Sequence, residues 1–468
     1  MAERILINPL TRISGFLQVK ADVENGVVTQ AMNSGLLFRG FEKILLNRSP
    51  FDAVYFTQRI CGICSAAHSM ASSLALEDAL KISPSEQGRI LRDIVHGCEF
   101  LQNHIRHFYQ YTIPDYVRMP DKLPLFDTVG NDFRLPPEEN RILSDHYFES
   151  LKMSMQAHDM LAVLGGKAPH NHGVFIGGVT VRPDADTIVQ MKSMLSTIKE
   201  FVTTKMTEDA NLIAHYYPDY FQMGGGCKNL LSYGCFHQYN SLGTLYLDPG
   251  VCLDGQKVPY DPHNITESID YAWYSGQDNY EPFETVSEPD MQKQKAYSWI
   301  KAPRYLEKPC EVGPLARQIL AGCYPNRISA MDRTVARVYE TRKIVDILSV
   351  LLDNVIPGAD TQSRYEIPRQ AKGVGLIDTT RGALGHWIKI ENAVISFYQI
   401  ITPSVWNFST RDEQSLGPSE QALIGTRIAD SKNPVEIGRI LRSFDPCVSC
   451  STHVLCPGQE AKTYQVMS

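Results

Sequence analysis

No stretch of this sequence holds the roughly 18 consecutive apolar residues that a membrane-spanning helix needs, so no direct membrane span is expected. Nor does it open like an exported precursor, because "MAERILINPL" lacks a sufficiently long apolar core. Basic charge is not in excess. Lys and Arg total 45 against 52 Asp and Glu, a net charge of -7, which is not the footprint of a nucleic-acid binder. Cysteine is too sparse for a secreted disulfide scaffold, at 11 in 468 residues. The odd count also leaves at least one thiol outside any set of internal bridges. Internal repeats, low-complexity tracts and long polar linkers are missing too, which argues against a string of separate modules. Free or metal-bound thiols in a reducing compartment follow, so cytoplasm is the expected location. Export or membrane association through a partner subunit is the alternative.

What is present reads as an α+β protein, with a mainly helical core, an N-terminal antiparallel sheet and smaller peripheral strands. "FLQVKADVENGVVTQAM" alternates apolar and polar residues about "ENG", a hairpin signal. From His68 onward the spacing turns helical. "LRDIVHGCEFLQNHIRHFY" and "TIVQMKSMLSTIKEFVTTKM" repeat apolar positions at three and four residues. "TVARVYETRKIVDILSVLLDNVI" does the same and is ended by Pro357 and Gly358. Residues after Thr379 read as turns with short helices. One interwoven catalytic domain spanning 1–468 is expected. Within it, 1–60 form the sheet region and the approach to the first CxxC, 61–215 a helical core, and 218–315 a strand- and loop-rich region. Residues 330–453 bring a helix and a metal-binding segment, and 454–468 follow as a removable peptide.

The chemistry lies in two cysteine pairs. "RICGIC" places Cys61 and Cys64 at CxxC spacing, and "DPCVSCSTH" places Cys447 and Cys450 likewise, with His453 three residues on. Two intervening residues let both sulfurs of a pair face one ion, and thiolates select zinc, copper(I), nickel or iron–sulfur iron. A four-cysteine structural zinc site is the plain reading. Against it, zinc ribbons keep both pairs within a few tens of residues, whereas these lie near opposite ends of the chain. A site stitched from both ends requires the whole fold first, which suits an active centre. Two independent dithiols are a further alternative.

These residues resemble the large subunit of nickel–iron hydrogenases over nearly the whole chain. The end motifs "RICGICSAAH" and "DPCVSCSTH" carry the likeness. Between and before them, in order, come "LTRISG", "FRGFE", "GGKAPH", "KAPRY", "EVGPLAR", "RGALGHW" and "TPSVWN". The resemblance implies an enzyme that reversibly cleaves H2 heterolytically at a nickel–iron centre with carbonyl and cyanide ligands. Cys61 and Cys447 would bind nickel alone, and Cys64 and Cys450 would bridge nickel and iron. It also implies that Arg381 hangs over the open metal face, and that Pro403 and Ser404 hydrogen-bond a cyanide. His68 would donate to a bridging sulfur, and Asp445 would pair with Arg381 or cap its turn. Glu42, the carbonyl of Ile400 and His453 would hold a magnesium or iron ion, since oxygen donors with one imidazole suit a hard octahedral ion.

No cysteines remain at ligand spacing for an iron–sulfur cluster in this chain. A cluster-bearing small subunit is therefore expected, within a larger electron-transfer complex, against a surface that includes His170. A cysteine-retaining relative of respiratory-complex core subunits is the competing reading, although such relatives have lost the four cysteines. Three departures from the family pattern stand out. Ser14 replaces the glutamate that relays protons, Asn103 replaces an aspartate facing Arg381, and Thr380 replaces a proline. A hydroxyl only passes a proton along a hydrogen-bonded chain, so Ser14 with ordered water is the expected relay from Cys447.

Overall fold

A computed structural model describes residues 3–120, 132–284 and 288–448. Cys450, His453 and the peptide 454–468 lie outside the described residues.

The chain begins as the expected antiparallel meander, with Glu3–Ile7, Leu17–Glu24 and Val27–Gly35 paired in that order. Leu17, Val19, Ala21 and Val23 alternate into the core, as a sheet with one covered face requires. Asn25 and Gly26 form the tip with φ of 52° and 76°. That left-handed pair matches the twist of a two-residue hairpin and explains why "NG" stands there.

Long helices follow. Ser65–Leu80 begins directly after Cys64. Glu86–Arg106 is capped by Ser85, whose hydroxyl accepts from the Gly88 amide. Pro137–Gly165 packs beside it, Ala330–Asp353 runs against it, and Ala185–Phe201 packs against both of those helices. Ala330–Asp353 stops short of the expected Pro357, because the chain already leaves helical geometry at Asn354. The 218–315 region holds only short strands, such as Leu230–Ser232, Ile265–Ser268 and Ala302–Tyr305.

The region after Thr379 departs from expectation. Turns and short helices were expected from Arg381 on. Instead Gln370–Thr379, Gly382–Glu391 and Val394–Ile401 form a second antiparallel meander, and only then do the short helices Pro403–Asn407, Pro418–Leu423 and Val435–Ser443 appear. The middle strand is buried on both faces over most of its length, so it shows no apolar–polar alternation to betray it.

This second meander seats the first cysteine helix. A Cβ on Gly373 would lie 2.1 Å from the Ala75 carbonyl oxygen, and one on Gly375 2.0 Å from that of Ala71. Glycines on the strand and alanines on the helix thus let two backbones meet. The consequence is positional: the Thr379–Gly382 turn, carrying Arg381, is held at a set place relative to Cys64 at the start of the helix.

Candidate metal centre

Cys61 emerges extended from the 3-10 turn Thr57–Ile60. Its Sγ accepts from the amides of Ile63 at 3.3 Å and Cys64 at 3.4 Å, so the turn wraps donors around its own sulfur. Cys447 arrives from the other end, after Val435–Ser443 and the left-handed Asp445 (φ 57°). The Cys61 and Cys447 sulfurs are 3.3 Å apart. That exceeds the roughly 2.05 Å of a disulfide, so the two are not bonded to each other. With Cys64 they form a buried triad whose sulfurs lie within 4.8 Å of one another.

The buried Arg381 lies close enough for its charge to act on all three sulfurs. Its Nε donates to the Asp445 carbonyl at 3.0 Å, and its Nη2 donates to Asn103 Oδ1 at 2.7 Å and pairs with Asp445 Oδ1 at 3.0 Å. Its Nη1 is buried and finds no hydrogen-bond partner among the described residues. Burial opposes the Arg381 charge, but Asp445 and the three cysteine sulfurs hold its pKa well above the usual value. Asp445 shows the mirror image. Burial would raise its carboxyl, yet Arg381, His107 and Arg337 keep it below the ordinary carboxylate range. Asn103, standing where the family pattern has an aspartate, bridges the pair by accepting from Arg381 and donating to Asp445 Oδ2 at 2.8 Å. The negative partner is supplied by Asp445.

The other expected residues fall around the same point. Ser14 runs beside Cys447 in a parallel bridge, its amide donating to the Pro446 carbonyl at 3.2 Å. Ser404, in the short helix opened by Pro403, accepts from the Cys447 amide at 2.9 Å. Its own hydroxyl proton is left for another acceptor. His68 lies one turn into the Ser65–Leu80 helix, and burial pushes its imidazole down to about 4, against the pull of Cys447.

Glu42 and Ile400 line a separate cavity of about 40 Å³ with Glu267, Lys301 and Thr402. Burial raises the Glu42 carboxyl, opposed by Lys301. His453 cannot be placed there, since it lies outside the described residues. His170 lies at the end of the 165–170 segment, its amide donating at 2.9 Å to Oγ of Ser65, which is next to Cys64 in the chain.

Several residues at the site had escaped notice. Glu99 accepts from the amides of Ala66 and Ala67 at 2.7 and 2.9 Å, just behind Cys64, and burial pushes its carboxyl up to about 7. Its signal was helical spacing, since Glu99, Asn103 and Arg106 follow at i, i+4 and i+7 on one face. Lys301 was visible inside "KAPRY" but had no role attached. Glu267 and Gln399, which hydrogen-bond each other, had no signal at all.

Buried soft donors converging from both ends, with an unpaired guanidinium nitrogen beside them, fit a thiolate-bound metal that carries further acceptor ligands. Comparison with known proteins agrees. A family model described as nickel-dependent hydrogenase matches residues 39–125, 126–326 and 323–453. The chain is 36% identical to the periplasmic [NiFeSe] hydrogenase large subunit of Desulfomicrobium baculatum, covering 97% of this chain and 95% of that one. It is 30% identical to the hydrogenase-2 large chain of Escherichia coli K12 over the full length of both. Its fold superposes on the reduced Ni-Fe-Se hydrogenase of D. vulgaris Hildenborough with a TM-score of 0.93 at 36% identity, covering 97% of this chain and 100% of that one.

Proposed function

This chain belongs to the nickel-dependent hydrogenase family, and from that premise we propose that Cys61, Cys64, Cys447 and Cys450 hold its nickel–iron centre. It is the large, catalytic subunit of a hydrogenase, an oxidoreductase acting on H2. The observation that carries the ligand assignment is the buried triad of sulfurs within 4.8 Å, drawn from residues 61–64 and 447. When bound, the nickel–iron centre, with carbonyl and cyanide on its iron, supplies the electron-rich site at which H2 is split into proton and hydride equivalents.

The chain's own residues then have distinct tasks. Cys61 and Cys447 would serve as nickel ligands, and Cys64 and Cys450 would be shared by nickel and iron. Arg381, whose Nη1 has no hydrogen-bond partner among the described residues, would offer that nitrogen to the bound group, where a fixed positive charge in a dry pocket acts strongly on developing charge. Asp445 and Asn103 hold the guanidinium in that pose. Pro403 and Ser404 would border the diatomic ligands, and the Ser404 hydroxyl, which accepts from the Cys447 amide, would donate to one of them. The Cys447 sulfur takes the proton as a local base, and Ser14 with ordered water passes it outward. His68 donates toward the bridging sulfurs. Glu42, the Ile400 carbonyl and His453 hold a magnesium or iron ion in the second pocket.

Electrons leave singly to an iron–sulfur small subunit, packed over the 165–170 segment with His170 and joined to a larger electron-transfer complex. No helix among the described residues is long and apolar enough to cross a membrane. The cytoplasmic expectation finds no support. The periplasmic relative favours export instead, with the partner subunit carrying the signal.

Metal analysis of the purified complex tests the assignment. Nickel and iron are expected in the large subunit, with infrared bands from carbonyl and cyanide. Zinc alone, without such bands, overturns it.

A further inference from the structure

The Thr379–Gly382 turn that carries Arg381 rests on two further arginines. Arg317 Nη1 donates to the Thr379 carbonyl at 2.8 Å, and Arg317 Nη2 and Arg337 Nη1 donate to the Thr380 carbonyl at 3.4 and 3.5 Å. The same Arg337 Nη1 lies 3.3 Å from Asp445 Oδ2 and 3.3 Å from His104 Nδ1. His104 Nε2 lies 2.8 Å from Glu340 Oε2. Glu340 is gripped by the Arg317 fork at 2.8 and 2.7 Å and by the Tyr246 hydroxyl at 2.5 Å. All of these side chains are buried. His104 comes from the Glu86–Arg106 helix, and Arg337 and Glu340 from Ala330–Asp353.

We propose that Arg337, seated by His104 and Glu340, is a positioning residue that sets where Arg381 stands, by holding both the backbone of its turn and the far side of its carboxylate partner. This deepens the reading above and rests on it. The contact between Arg381 and Asp445 does not fix itself. Asp445 Oδ1 faces Arg381 Nη2 at 3.0 Å but finds no aligned hydrogen bond among the described residues. The carboxylate is therefore oriented through Oδ2, which accepts from Asn103 at 2.8 Å and from Arg337. Among the described residues, the hydrogen bonds of Arg337 all leave from Nη1, and its buried Nε has no partner. One nitrogen thus joins Thr380, Asp445 and His104. The proton placement at this seat follows from groups with a single possible role. A guanidinium only donates and a carboxylate only accepts, so His104 Nδ1 accepts from Arg337 and His104 Nε2 donates to Glu340. Burial would raise the Glu340 carboxyl, yet Arg317 and His104 hold it below the ordinary range. Burial pushes the His104 imidazole down to about 4, against the pull of Glu340, so the ring is neutral and keeps the lone pair that seats Arg337.

A residue that merely ties two helices together would not act through Arg381, so the test is a double-mutant cycle read at the metal. Nickel and iron content and the carbonyl and cyanide infrared bands are compared in the holoenzyme complex for wild type, Arg337→Met, Arg381→Met and the double variant. At full metal content, Arg337→Met is expected to lower the carbonyl band by several wavenumbers, because a receding Arg381 charge leaves the iron more electron-rich. It is also expected to lower kcat by roughly 10- to 100-fold. In the Arg381→Met background the same change is expected to move neither band further. His104→Phe, which keeps the Arg337 charge but removes its seat, is expected to repeat the shift. His104→Asn, whose side-chain oxygen stands in for Nδ1, is expected to restore the wild-type bands. Should Arg337→Met fail to assemble, His104→Phe decides in its place. Unmoved bands at full metal content, or shifts that simply add in the double variant, overturn the positioning role. Lack of carbonyl and cyanide bands in wild type instead overturns the nickel–iron reading and this inference with it.

Discussion

Two pockets share two walls. Ile60 lines the Glu42 cavity while its neighbour Cys61 enters the thiol pocket, and Thr402 faces the first while Ser404 serves the second. Their chemistry is opposite. The thiol pocket gathers soft sulfurs under a guanidinium that keeps one nitrogen unpaired. The other gathers the carboxylates of Glu42 and Glu267 about the buried Lys301, whose Nζ lies 3.8 Å from Glu267. One strand end and one turn thus separate a soft, redox-capable site from a hard, charge-balanced one, by the sidedness of neighbouring residues.

The sharpest way to break the comparison is to exchange donors. Cys447→Ser is expected to abolish nickel retention and lower H2 oxidation by about 10³-fold or more, since a hydroxyl does not replace a soft thiolate. Glu42→Gln is expected to keep nickel and iron, as read by metal analysis, while losing the hard cation and about tenfold in activity. If Glu42→Gln empties the nickel site, the two pockets are not independent. Arg381→Lys, at full metal content, should reduce kcat by roughly 10²-fold, because an ammonium keeps the charge but not the forked hold on Asp445 and Asn103. Ser14→Ala should slow turnover several-fold with unchanged metal content, and full turnover removes Ser14 from the relay.

The smallest effect concerns stability. The folded state raises the Glu99 carboxyl to about 7, above the roughly 4.3 of an unfolded chain. The native state therefore binds the proton more tightly. Glu99 adds no penalty below the unfolded value, and stability falls as pH rises from about 4.3 through about 7, by up to about 4 kcal/mol. Glu99→Gln should flatten that decline in urea unfolding measured across the window.

Local patterns announced a large part of this molecule. The "ENG" hairpin and the long helices obeyed periodicity, because each has one face toward solvent or a repeating apolar stripe. The second meander did not, being buried on both faces. At the site, side-chain identity spoke for Cys61, Cys64, Cys447 and Arg381, whereas the bridging part played by Asn103 had no mark in the sequence. Its role comes from Asp445, which reaches it from 342 residues away. Glu267 and Gln399 meet across 132 residues and carry no mark of it in the string.

The sequence by itself determined the donor chemistry: which atoms are soft, which are hard, and that the CxxC pairs could each turn toward one ion. These are properties of residue type and short spacing. Only the tertiary structure decided that Cys61 and Cys447, 386 residues apart, would come within 3.3 Å, and that a buried guanidinium nitrogen would have no hydrogen-bond partner among the described residues. Convergence across such a distance is set by helix, sheet and glycine packing acting together, and no local stretch encodes it.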